Sequence, residues 1–123
     1  MRPVVLILAA ALALAPVAAL AHGNMKPQHG GIDQMSGETV FELVVKPAGV
    51  ELYVSEDDEP VLNTAATAKL VVSAGGKTSE VPLAAGANNG FVAPARLPKG
   101  ASVGVVVVAK PSGVKTFTTY TLK

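Results

Sequence analysis

From Thr39 to the end of the chain, short runs of β-branched and apolar residues alternate with polar ones, and Gly, Pro or Asn interrupts them about every 8 to 12 residues. No segment repeats apolar residues at the three-to-four spacing of a packed helix, so the chain is restricted to strands and turns. Thr39 to Lys46 sets Phe41, Leu43 and Val45 on one face, and Lys46-Pro47-Ala48-Gly49 turns it into a second run with Val50, Leu52 and Val54 in phase. After the polar loop Glu56 to Pro60, Ala66 to Ser73 and Thr78 to Leu83 flank Gly75-Gly76, a pair whose tolerance of positive φ suits a two-residue hairpin turn. Phe91 to Leu97 reads as a short strand with Pro94 marking an edge or a bulge. Ser102 to Ala109 holds the run Val105 to Val108, expected in a central strand covered on both faces, and Val114 to Leu122 closes the set. The fold class that follows is all-β, an immunoglobulin-like antiparallel β-sandwich of about seven strands over residues 39–123.

The chain before Thr39 is different. Arg2, the apolar stretch Val4 to Ala15, Pro16 and the small-residue ending Ala19-Leu20-Ala21 make residues 1–21 a secretory signal peptide, cleaved before His22. An uncleaved anchor is the weaker reading, because the stretch is alanine-rich and broken by Pro16. Residues 22–38, with three glycines and Pro27 ahead of Ile32, read as an irregular N-terminal arm. Removing residues 1–21 from the 123 leaves 102, enough for one domain. Export through such a leader is expected to leave that domain secreted, with no membrane contact once the signal is gone.

Charge and cysteine narrow the chemistry. Without Arg2, nine Lys and Arg face nine Asp and Glu, so no electrostatic pull toward nucleic acid or an anionic surface is expected. Cysteine is absent, which excludes disulfides, thiolate metal sites and thiol catalysis. Ser55, Ser73, Ser79 and Ser102 have no base near them in sequence, and the chain is read as a non-enzyme. A copper monooxygenase using a mature N-terminal histidine would need an extended aromatic surface, and here Trp is absent and aromatics are 4%.

The two histidines and every methionine beyond the initiator fall in or beside the arm: His22, Met25, His29 and Met35, with Asp33 among them. Cleavage at Ala21 would give His22 both an α-amine and an imidazole, a natural chelate. Amine and imidazole nitrogen suit Cu(II), thioether sulfur suits Cu(I), and zinc is the next candidate. His22 and His29 are at most about 25 Å apart in extended chain, so the arm has to fold back to join them. The expected metal ligands are therefore His22 and His29 first, then Met25, then Met35 and Asp33, with Met35 as a core plug under the first strand as the competing reading. The acidic run Glu56 to Glu59 lacks the glycine spacing of a calcium loop and reads as a solvated turn. Tyr53 and Tyr120 read as packed strand residues rather than stacking or redox groups.

Several segments carry a resemblance: His22-Gly23, Lys26-Pro27-x-His29-Gly30-Gly31, Phe41-Glu42-Leu43-Val44, Glu51-Leu52-Tyr53-Val54 and Asp58-x-Pro60-Val61. Together they resemble small periplasmic proteins of Gram-negative bacteria found with heavy-metal efflux, and a stretch of the periplasmic adaptor subunits of RND-type metal efflux pumps. The resemblance implies a soluble periplasmic domain that handles copper, zinc or a related ion near an efflux system. A looser similarity is to copper-resistance β-sandwich carriers whose mature N-terminal histidine binds Cu(II), with His22 in the matching place. Two functions follow as expectations. One is a metal-binding protein, for copper first, that buffers or delivers the ion in heavy-metal resistance. The other is a non-catalytic interaction module that docks on an efflux adaptor without binding metal.

Overall fold

The computed structural model describes residues 26–123, so the expected signal peptide and the candidate ligands His22 and Met25 lie outside the described residues. Among the described residues there are nine strands: β1 (Ile32–Ser36), β2 (Thr39–Lys46), β3 (Gly49–Glu56), β4 (Glu59–Pro60), β5 (Ala66–Ala74), β6 (Lys77–Ala85), β7 (Phe91–Ala93), β8 (Ser102–Ala109) and β9 (Lys115–Thr121). Every pairing is antiparallel. The strands form one hydrogen-bonded path, β1-β2-β3-β7-β6-β5-β8-β9, with β4 beside the end of β3.

The path turns a corner between β6 and β7, which share only the pairs Ala84–Val92 and Ala85–Phe91. Its two ends then meet. The Tyr120 hydroxyl of β9 donates toward the carbonyls of Ile32 in β1, at 3.0 Å, and Phe41 in β2, at 2.9 Å. The result is close to a closed barrel. Its core is drawn from the whole circuit: Phe41 and Leu43 of β2, Leu52 of β3, Leu70 of β5, Phe91 of β7 and Val105 of β8 are all sealed from solvent. Alternation in β3, β5 and β8 places their inward residues there, as the pleat requires.

Seven of the strands fall where the alternation places them, and the differences have local causes. β7 ends at Ala93, because Pro94 has no N–H to continue the ladder, and it lies between β3 and β6 rather than at an edge. β8 is central in its layer, but only Val103, Val105 and Val107 are buried, while Val106 and Val108 are half-covered, so one face of the strand lacks a second layer. Val45 is 42% exposed at the end of β2 rather than in the core. Gly75 and Gly76 turn the β5–β6 hairpin at φ 58° and 80°, where a side chain would be strained.

Two further strands were not expected. Residues 32–36, read as part of an irregular arm, form β1, because the edge of β2 offers a partner for each residue from Leu43 back to Thr39. The turn between them is Gly37-Glu38, with Gly37 at φ 60°. The run Glu56 to Glu59 does make an exposed turn, with Asp57 and Asp58 both at positive φ, and its return forms β4. No helix among the described residues is long and apolar enough to cross a membrane.

Candidate functional site

Strand register puts three polar side chains in one row on the outer face of the sheet: Asp33 of β1 opposite Glu42 of β2, and Glu42 opposite Tyr53 of β3. An outward glutamate in such a row would normally be solvated. Glu42 is only 4% exposed, because residues 26–31 cross over it. Its Oε1 accepts from the Gln28 amide at 3.1 Å and from His29 Nδ1 at 2.8 Å, and its Oε2 accepts from the amides of His29 at 2.7 Å and Gly31 at 2.9 Å. One buried carboxylate thus fixes the course of the whole crossing segment.

Burial pushes the Glu42 carboxyl up, but the His29 ring and the three backbone amides together outweigh it and hold it below the ordinary value of 4.5. It is therefore a carboxylate at neutral pH and can only accept. In the neutral imidazole, Nδ1 must then carry the proton and Nε2 keeps its lone pair. The ring is held in place by a second contact. His29 stacks on Tyr53 with centroids 3.5 Å apart and planes 2° from parallel, and the Tyr53 hydroxyl donates to Glu51 at 3.0 Å, itself paired with Lys46 at 2.9 Å. Tyr53 is thus a stacking group, contrary to the expectation from sequence. Burial, followed by its bond to Glu51, raises its hydroxyl above the ordinary tyrosine value.

Close approach of the segment depends on Gly31. A Cβ there would sit 2.5 Å from the Leu43 carbonyl oxygen and 2.8 Å from Val44 Cγ2. Gly31→Ala is expected to lift the segment off β2, at a cost of about 1–3 kcal/mol, read as faster amide exchange at residues 28–31 with the barrel strands unaffected.

Together these elements wall a cavity of about 660 Å³ between the crossing segment, the β3–β4 turn and the Asn88-Asn89 loop. His29 and Asp33 both line it; Met35, two residues further along β1, is 43% exposed and does not. Met35 is thus no core plug. Asp33 is pushed above its ordinary 3.8, first by burial and then by the Glu42 charge, with His29 opposing. Among the described residues no three His, Cys, Asp or Glu side chains are grouped so as to hold a metal ion. The loop forming the far wall is pinned by Asn63 and Asn89: the Asn63 amide donates to Asn89 Oδ1 at 2.8 Å, and Asn89 Nδ2 donates to the Val61 carbonyl at 2.9 Å.

Glu42 and Tyr53 are the residues that sequence reasoning missed as parts of the site. A signal for Glu42 was present: it sits between Val40 and Val44 on its face of β2, and a strand apolar on both faces is covered on both.

The two carboxylates predict opposite acid responses. Glu42 is depressed when folded, so the docking strength it supplies is full above pH 4.5 and is lost as pH falls through its lower folded value. Asp33 is raised above 3.8, so its ionised form is penalised and its protonation returns a smaller part. The NMR shifts of the Gln28 and Gly31 amides, both of which donate to Glu42, should therefore move toward free-chain values only below pH 4.5, as the carboxylate takes up a proton.

Comparison with known proteins found no matching family model, no matching curated protein and no matching solved structure.

Proposed function

We propose that the protein is a periplasmic, non-catalytic metal carrier, for copper first and zinc second, in which His29 Nε2 is a ligand. The supporting observation is the pairing of His29 Nδ1 with the buried Glu42 carboxylate at 2.8 Å. Metal-bound histidines are usually held in this way, with the far nitrogen's proton given to a carboxylate so that the near one is aimed and made more basic. Asp33 on the same cavity wall offers an oxygen donor, while His22 and Met25, ahead of the crossing segment, are the nitrogen and sulfur donors proposed to complete the set. Met35, exposed on β1, is at most an outer donor. The scaffold is read as an immunoglobulin-like sandwich whose layers have curled toward closure, supported by a core shared between β2–β3 and β5–β8.

Calorimetric titration of protein beginning at His22 with cupric and zinc salts tests this. One Cu(II) per chain is expected. His29→Ala should abolish tight binding, and Glu42→Gln should weaken it by about 10-fold or more through loss of tautomer control. Absence of binding heat, or an affinity that His29→Ala leaves unchanged, would reject the reading.

A second reading, docking on a metal-efflux adaptor without metal, draws support from the outer face of β8–β9. There Phe117, opposite Val106, is 65% exposed. Loss of adaptor co-elution in Phe117→Ser, with metal having no effect, would favour it.

A further inference from the structure

The cavity is larger than an ion and its protein ligands require. At about 660 Å³ it falls within the range of sites for small organic molecules, roughly 300–1,000 Å³. One part of its wall is apolar, formed by Val40, Pro60 and Leu62, and Leu62 stands 59% exposed with no core to cover it. The polar part is unevenly charged. Glu42 is already matched by its three amides and the His29 ring, which leaves the carboxylates of Asp33 and Asp58 on the wall against the single ammonium of Lys26. Asp33 is half-buried on β1, and Asp58 is held at the tip of the β3–β4 turn by its left-handed backbone, φ 67°.

We propose that this cavity binds a small organic cation, an ammonium head joined to an apolar body. The head would lie toward Asp33 and Asp58 and the body along Val40, Pro60 and Leu62. A neutral ligand of the same length would gain the apolar contact alone, and an organic anion would meet the excess of carboxylate. The site needs no metal and does not rest on the carrier reading, although the two share Asp33 on the cavity wall.

The test uses NMR titration of the protein beginning at His22, in chelator, with n-hexylamine, 1-hexanol and hexanoate. The amine should bind about fivefold more tightly than the alcohol, the gain of a partly exposed ion pair of about 1 kcal/mol, and hexanoate more weakly than both. Shift changes should centre on Val40, Pro60 and Leu62. Asp33→Asn together with Asp58→Asn should erase the preference for the amine while the alcohol still binds, and Leu62→Ser should weaken amine and alcohol alike. Equal affinity for amine and alcohol, shift changes elsewhere on the barrel, or a preference that survives loss of both aspartates would overturn the proposal. Because metal is excluded, a failed copper titration and a failed amine titration reject different statements.

Discussion

Replacing Glu42 by alanine is expected to free residues 26–31 from the barrel while leaving the barrel folded. The carboxylate takes four hydrogen bonds, three from backbone amides and one from the His29 ring, and it is buried at 4% exposure. A hydrogen bond to a charged group is worth about 1.5–3 kcal/mol, yet the four are not additive, because a released segment regains water at every amide. The segment's own docking free energy sets the ceiling, and a loss of about 2–4 kcal/mol is expected, enough to leave it undocked most of the time. Hydrogen exchange should rise by about one and a half to three orders of magnitude at the Gln28, His29 and Gly31 amides, in line with that loss. The Tyr53 ring resonances should shift as the His29 stack is lost. Glu42→Gln keeps the shape but offers one acceptor oxygen and a misplaced donor, so it should fall between alanine and the native residue. Retained protection in Glu42→Ala would mean that the segment is held by the Tyr53 stack and Val44 instead.

The same residue shows where reading from sequence stops. The strands from Thr39 onward were legible because alternation and turn residues act over neighbouring positions; β2 and β8 have the boundaries that the pattern gives them. β1 was not, since Ile-Asp-Gln-Met-Ser has no alternation of its own and becomes a strand only by pairing with β2, although Gly37 in a two-residue link marked the hairpin. His29 and Asp33 were legible as chemistry by residue type. Their meeting on one wall depends on strand register and on Gly31 allowing close passage, and neither is encoded by spacing along the chain. The flanking Val40 and Val44 mark the face of Glu42 as covered, but nothing in the pattern of β2 says that residues 26–31 are what cross it and make the carboxylate their anchor. His22 and Met25 lie outside the described residues, so the ligand set proposed for copper rests on His29 and Asp33 alone within the structure.

Closure of the barrel is expected to depend on Tyr120 to a similar degree. Its ring fills the core beside β9, 2% exposed, and its single hydroxyl proton is shared between the carbonyls of Ile32 and Phe41 on the opposite end of the path. Tyr120→Ala removes ring and bond together and should cost about 3–5 kcal/mol of global stability by denaturant unfolding, the usual range for emptying an aromatic core position. Tyr120→Phe keeps the packing and isolates the hydroxyl, with about 1–3 kcal/mol expected for carbonyls left short of a donor. Alkaline pH separates the two contributions further. Burial first, and then the Asp33 charge, raise the Tyr120 hydroxyl above the ordinary 10.0, since a phenolate there would face two carbonyl oxygens and a carboxylate. A raised folded value means that the stability it contributes is complete below pH 10 and is lost as pH climbs from there toward the folded value. Wild-type protein should therefore weaken steeply above pH 10, and Tyr120→Phe should show a shallower slope, leaving the part due to Tyr53, which is raised in the same direction. If the two proteins weaken in parallel, the hydroxyl does not hold the ends of the path together, and closure must come from side-chain packing between β1 and β9 alone.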